Sequence, residues 1–278
     1  MRVGGVPEHF NLPWKLAIAD NAFTGTGLDV QFIDYPGGTG AMTAALRAHE
    51  LEAAIVLTEG AVLDILNGSD NQLVSVYVES PLVWGIHVAA DGPVTAVTKG
   101  QRVAISRFGS GSHLIAVVDA MMRGFDPTTM EFVVVDNIDG ARAALAEGRA
   151  ELFLWERHMT QPLVDSGEFR RIGEREVPWP AFVVSARKDF LETHVDTLRT
   201  ALDIVATYCQ KLKNGDDSAR LISDACGIAP ADAERWLAGV RWTNHGQPPT
   251  AALERIKSAL ISQGAIEPKA TIDTLWCR

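Results

Sequence analysis

The feature that most limits how this chain can fold is a unit that occurs twice: an apolar strand, a loop of glycine and small hydroxyl residues, then a helix. In RVAISRFGSGSHLIAVVDAMM (102–122), Val103, Ala104 and Ile105 form an apolar run of strand length. Ser106-Arg107-Phe108-Gly109-Ser110-Gly111-Ser112-His113 breaks that run, and Leu114, Val117, Val118 and Met121 follow at i, i+3, i+4, i+7, the spacing of a helix. The stretch 29–46 repeats the design, with a strand up to Tyr35, the loop Pro36-Gly37-Gly38-Thr39-Gly40, and a helix opening at Met42. Such a loop leaves backbone N–H groups free at a helix start, beside the Ser110 and Ser112 hydroxyls, and suits an anion or a carbonyl oxygen. The same residues also serve as an ordinary turn and cap. The spacing is not a dinucleotide fingerprint, because Leu114 stands where G-x-G-x-x-G needs its last glycine, and no Gly-Lys-Ser/Thr follows to make a P-loop.

Strands and helices alternate along most of the remaining chain. Residues 2–6 read as a strand ending at Pro7, with His9 and Phe10 in the loop beyond it. Asn11 is placed to cap a helix that runs through Trp14, Ile18, Ala22 and Phe23. LEAAIVL (51–57) is a continuous apolar run suited to a sheet covered on both faces, and Thr58-Glu59-Gly60 lies at its end. Further strands are expected at 73–78, 80–90, 131–135 and 152–154, the last ending at Trp155-Glu156. Asn137 lies in the loop after 131–135, and Glu156 to Glu176 reads as polar and mixed. Pro178-Trp179-Pro180 marks a boundary before a strand at 182–185, and the rest reads mainly as helix. Alternation with short loops predicts an α/β fold with parallel sheet. A weak internal repeat, LRAHELEAAI (46–55) against LAEGRAELFL (145–154), keeps leucine and glutamate at the same separation and points to two similar lobes.

Composition narrows the function classes. With 278 residues, 47% hydrophobic and 22% charged, the chain is an ordinary soluble globular protein of one large or two smaller domains. A net charge of −10 argues against a nucleic-acid or anionic-membrane partner, though a local loop can still take a small anion. No apolar run is long enough for a membrane span, and no signal-peptide pattern opens the sequence. The expectation is a cytoplasmic location as written, or a periplasmic one if the sequence is a trimmed form of an exported protein. Cys209, Cys226 and Cys277 are scattered, as reduced thiols would be, so neither a disulfide framework nor a metal site is expected.

The pieces RVGGVPEHF, YPGGTGAM, LTEG, SPLVWGIHVA, RVAISRFGSGSH, ALAEGRAELFLWE and PWPAFVVSARKDF, in this order, resemble the type II periplasmic-binding-protein-like solute-binding proteins. The nearest branch is the nitrate/sulfonate/taurine group, with its relatives that bind a thiamine pyrimidine precursor. The resemblance covers essentially the whole chain. It implies a two-lobed fold with ligand held in a cleft, residues 1–93 and 180–278 forming lobe I and 94–179 lobe II, with hinges near 91–95 and 178–182. It also implies a small-molecule ligand and, if the protein is exported, an ABC permease partner. The yeast-type thiamine pyrimidine synthases are distant relatives with a cysteine-rich iron motif and a cofactor lysine. This chain has no such cysteine cluster, so that activity is not carried over, and no cofactor is expected.

Ligands in open α/β sheets bind outside the carboxyl ends of the strands. That rule selects His9, Phe10, Gly38, Thr39, Thr58 and Glu59 from the first half, with Trp84 as a wall near the crossing. From the second it selects Ser106, Arg107, Ser110, Gly111, Ser112, His113, Asn137, Trp155 and Glu156. Several have plain alternatives: His9 as a packed loop histidine, Trp84 and Trp155 as core, Arg107 as a solvated cation, Trp242–His245 as a surface turn. No nucleophile–base pair, HExxH or metal-ligand spacing is visible, so binding is favoured over catalysis, and no catalytic residue is assigned. The alternative is a cytoplasmic enzyme of the same fold acting on a small carboxylate or pyrimidine metabolite. The expected ligand is small and polar, a nitrogen-containing aromatic or a zwitterion, because Glu59 and Glu156 favour an amino or ring N–H group.

Overall fold

The computed structural model describes residues 1–243, 246–272 and 275–277. Asn244 and His245, part of the expected turn at 242–245, lie outside the described residues. In chain order the elements are β1 (Arg2–Gly5), α1 (Leu12–Ala19), β2 (Gln31–Asp34), α2 (Gly38–Arg47), β3 (Ala53–Leu57), α3 (Thr58–Leu66), β4 (Asn71–Val78) and β5 (Val83–Ala89). They continue with β6 (Arg102–Ile105), α4 (Gly111–Met122), β7 (Glu131–Val134), α5 (Ile138–Ala146), β8 (Leu152–Glu156), α6 (Gln161–Asp165), β9 (Phe169–Glu176) and β10 (Phe182–Arg187). Four helices close the chain: α7 (Lys188–Asn214), α8 (Ser218–Cys226), α9 (Pro230–Gly239) and α10 (Thr250–Ser262).

The chain divides into two compact units, each around its own sheet. Unit 1 comprises Met1–Ser80, Trp179–Glu254 and Ala270–Arg278, and unit 2 comprises Pro81–Pro178 and Arg255–Lys269. The five-stranded orders are β2-β1-β3-β10-β4 and β7-β6-β8-β5-β9. Three strands in each sheet come from consecutive βα units and pair in parallel, as expected. One strand in each sheet departs from the all-parallel expectation: β10 runs antiparallel to β3 and β4, and β5 antiparallel to β8 and β9. Both sheets are therefore mixed.

The internal repeat has a physical basis. Glu52 accepts from the Arg2 backbone N–H at 2.6 Å and pairs with the Arg2 guanidinium at 2.5 Å. Glu151, the aligned residue, accepts from the Arg102 backbone N–H at 2.9 Å and from its Nε at 3.3 Å. In each unit the glutamate just before β3 or β8 holds the start of its neighbour β1 or β6, which sets the register of the pair.

Three sequence expectations are revised. β5 belongs to the second sheet, hydrogen-bonded between β8 and β9, so the first crossing lies at Ser80/Pro81 and not near residue 93. The stretch 156–176 holds α6 and the edge strand β9; FRRIGERE hides its strand because arginine occupies half-buried positions of an edge and glutamate its exposed ones. Asn11 stands at the α1 start but does not cap it, because its side-chain amide donates to the Val6 carbonyl at 2.9 Å.

Candidate functional site

In unit 1 the carboxyl ends of β1, β2 and β3 lie along one edge of the sheet, and β10 starts there with Phe182 opposite Leu57. This edge receives His9 and Phe10, Gly38 and Thr39, and Thr58 and Glu59. His9 is fully buried, with its ring 4.6 Å from Phe10 and 4.3 Å from Trp236. Phe10 packs 4.8 Å from Phe182, and its carbonyl accepts from the Tyr77 hydroxyl and the Trp242 indole, each at 3.0 Å. Both side chains thus belong to an aromatic cluster that supports the edge.

The threonines at this edge join loops. Thr39 Oγ1 accepts from the Leu57 N–H at 3.0 Å, and Thr58 Oγ1 donates to the Pro180 carbonyl at 2.6 Å. A Cβ on Gly60 would lie 2.4 Å from Thr39 Cγ2, so the close approach of α2 to the α3 start requires that glycine. Gly38 opens α2 with φ +67, a left-handed conformation suited to glycine. Glu59 sits in the first turn of α3, 3% exposed, and accepts from the Trp179 indole N–H at 2.9 Å. Burial pushes its carboxyl up to about 7, against the opposing hydrogen bonds from its own backbone N–H and Trp179.

In unit 2 the serines converge. Ser112 Oγ accepts from the Ser106 N–H at 2.9 Å and lies 3.0 Å from Ser110 Oγ and 3.3 Å from Ser106 Oγ. Ser110 caps α4 by accepting from the His113 N–H at 3.3 Å. Gly111 and Ser112 open α4, so their backbone N–H groups lie in its first turn, where positive helix-dipole charge concentrates. Arg107 is exposed, and Phe108 is 64% exposed on the same loop.

β8 ends at the same side of this sheet, and antiparallel β5 begins there, with Trp84 opposite Glu156 and Gly85 opposite Trp155. Trp84 is 5% exposed, and its buried indole N–H has no hydrogen-bond acceptor among the described residues. Its ring stands edge-on to the half-buried Trp155, with centroids 6.4 Å apart. Glu156 is buried and accepts from the Met159 N–H at 2.7 Å. Asn137 is exposed and caps α5 through the Gly140 N–H at 3.0 Å. Asp136 before it takes a left-handed φ of 63 and donates its N–H to the Ser106 carbonyl at 3.0 Å, which ties this turn to the serine loop.

The turn has no room for a side chain at Gly140, where a Cβ would lie 1.9 Å from the Val135 carbonyl oxygen. Gly140→Ala is expected to lower stability by about 2 kcal/mol, hence Tm by roughly 4–8 °C. An unchanged thermal midpoint would count against this tight packing.

Among the described residues, no group of three or more histidine, cysteine or acidic side chains is placed to hold a metal ion. None of their helices is long and apolar enough to cross a membrane. A recess of about 430 Å³, counted to its open mouth, lies toward the amino ends of β6 and β8, lined by Val103, Leu152, Ala116 and Phe125. It is remote from the serine loop along the strand direction and does not include the candidate residues.

A family model described as Ca3427-like PBP matches residues 84–175. The solved structure of the Candida albicans CA3427 gene product, described as having the generic periplasmic binding protein fold, is 25% identical and superposes with a TM-score of 0.87 over 99% of this chain and 92% of its own. The chain has the periplasmic-binding-protein fold. The alkanesulfonate-binding protein SsuA of Xanthomonas axonopodis pv. citri, bound to MOPS, is 15% identical with a TM-score of 0.84, covering 100% of this chain and 98% of that one. The periplasmic aliphatic sulphonate binding protein SsuA of Escherichia coli is also 15% identical, with a TM-score of 0.77 over 100% and 92% of the two chains. No curated protein sequence matches the chain.

Each unit of this periplasmic-binding-protein fold brings its own candidates to the carboxyl edge of its sheet. Sequence reasoning used Trp179 only as a boundary, although its indole is the partner of Glu59. A tryptophan between two prolines was the available signal. Nothing local marks Gln263, which reaches His113 from 150 positions away.

Proposed function

We propose that this protein binds a small molecule with a polar or anionic head and an amino or ring N–H group. The serine loop of unit 2 takes the head, and the buried carboxylate of Glu156, at the same side of that sheet, favours the nitrogen. The observation that carries this reading is the convergence of the Ser106 and Ser110 hydroxyls on that of Ser112, at 3.3 and 3.0 Å, at the α4 start. The unsatisfied Trp84 N–H at the same end of the sheet supports it, because a buried donor without a partner costs about 1–3 kcal/mol that a ligand acceptor can recover.

Energetics shape the ligand. A micromolar complex needs about 8 kcal/mol overall. Hydrogen bonds of about 1.5–3 kcal/mol each, when one partner is charged, do not reach that after the cost of association. Apolar contact must add the rest, and Trp155 and the exposed Phe108 offer it. A nitrogen heteroaromatic or a zwitterion therefore ranks above nitrate or sulfate. The MOPS-bound structural neighbour is in keeping with this class, since MOPS joins a sulfonate to a ring amine. If the protein is exported, an ABC permease is the partner this reading calls for; in the cytoplasm, it would act as a sensor or carrier.

Calorimetric titration with MOPS, taurine and an aminopyrimidine tests the reading. We expect one of these to bind in the micromolar range and Ser112→Ala to weaken it by about tenfold or more, the equivalent of one charged hydrogen bond. A ligand that binds wild type, Ser112→Ala, Glu156→Gln and Trp155→Ala with equal affinity would show that the site lies elsewhere.

A further inference from the structure

The serine loop bends through Gly109, and its backbone there is held by a side chain of the helix it precedes. The Gly109 N–H donates to His113 Nδ1 at 3.0 Å. The Gln263 amide nitrogen contacts the same Nδ1. A neutral imidazole with its proton on Nε2 presents Nδ1 as its one ring acceptor, so both donors share a single lone pair. Burial favours that neutral form, pushing His113 down to about 4. The ring is fixed edge-on by Phe108 at 5.1 Å and Phe132 at 4.6 Å. Gln263 Oε1 is buried without a partner among the described residues, so the donor side of the amide sets its orientation. The reverse orientation would set an acceptor oxygen against an acceptor nitrogen. Gln263 lies in Arg255–Lys269, the late stretch of chain that packs with unit 2.

We infer that His113 is a positioning residue: its Nδ1 clamps the Gly109 N–H and the Gln263 amide together, and so holds the serine loop in shape from the C-terminal segment of unit 2. This assigns His113 to the support of the site, in place of the ligand contact expected from sequence. The inference rests on reading the loop as the ligand-binding element. The shape of the loop is measurable with no ligand present, so failure of the clamp and failure of the binding proposal are distinguishable.

Hydrogen exchange of the full chain, followed at residues 107–112, provides the test, using wild type, His113→Leu, His113→Asn and Gln263→Leu. Asparagine places its Oδ1 where histidine places Nδ1, and so keeps the acceptor while losing the ring. We expect the Gly109 amide to exchange about tenfold faster in His113→Leu and to return close to the wild-type rate in His113→Asn. In Gln263→Leu, the Gly109 amide keeps its acceptor, and exchange rises by less than in His113→Leu. Equal exchange in wild type and His113→Leu overturns the clamp. So does equal acceleration in His113→Leu and His113→Asn, which would assign the effect to ring packing against Phe108 and Phe132. Should the leucine variant not fold, nitrogen NMR of wild-type His113 decides: an unprotonated Nδ1 with the proton on Nε2 is expected, and a protonated Nδ1 overturns the inference.

Discussion

Replacing Asp119 by alanine is expected to lower the unfolding free energy by about 3 kcal/mol, among the largest losses from any single polar side chain of unit 2. Asp119 lies on α4, 3% exposed, and accepts from Arg123 Nε and Arg175 Nε, each at 2.7 Å. Arg175 is on β9, opposite Trp84 of β5, so this carboxylate ties the helix that begins with the serine loop to the strands that carry Trp84. Removing it leaves two guanidinium groups facing each other across a largely dry space. Such breakage costs roughly 3–5 kcal/mol when all partners are buried. The low end applies here because the side chains of Arg123 and Arg175 are 31% and 17% exposed, and water relieves part of the repulsion. Asp119→Asn keeps one acceptor oxygen and is expected to lose about half as much. Urea unfolding of the three proteins checks this. A shared midpoint would mean that the arginines are already solvated well enough to need no carboxylate.

Stability is also expected to fall by up to about 3 kcal/mol as pH rises from about 4.5 to about 7, through Glu59. Burial lifts its carboxyl from the ordinary 4.5 to about 7. In that window the unfolded chain has released the proton while the folded one still holds it, so raising the pH favours unfolding. Below the window both states are protonated and no penalty exists; above it the folded state bears the whole cost of a buried charge. Each pH unit of displacement corresponds to about 1.4 kcal/mol. Glu8 is pushed up to about 7 by burial as well, but its residue is only half-buried, so solvent softens its share. Glu59→Gln isolates the effect. It is expected to match wild type near pH 4 and to be more stable near pH 8, with the glutamine oxygen still able to accept from Trp179. Parallel pH profiles for the two proteins would remove Glu59 as the cause.

The placement of the candidate residues was legible because its logic is local. A strand that ends in a glycine- and serine-rich loop and runs into a helix delivers those residues to the carboxyl edge of a parallel sheet, whatever lies around it. Ser106, Ser110 and Ser112, and Gly38 with Thr39, were found in that way. Their use was not legible. Thr39 and Thr58 have the composition of ligand contacts, yet their hydroxyls join loops of the protein itself. His113 falls at the helix start that a ligand would face, yet its acceptor nitrogen is taken by Gly109 and Gln263.

By itself the sequence determined the α/β class, the two strand–loop–helix units and the duplication, because hydrophobic periodicity and the Leu46/Glu52 and Leu145/Glu151 spacing are properties of short segments. Only the tertiary structure decided that β5 joins the second sheet and β10 the first, both antiparallel to their neighbours, and that FRRIGERE is a strand. The physical reason is that strand pairing is chosen between segments far apart in the chain. β5 is apolar enough for either sheet, and β9, exposed at an edge, needs no apolar face to be held by hydrogen bonds to β5.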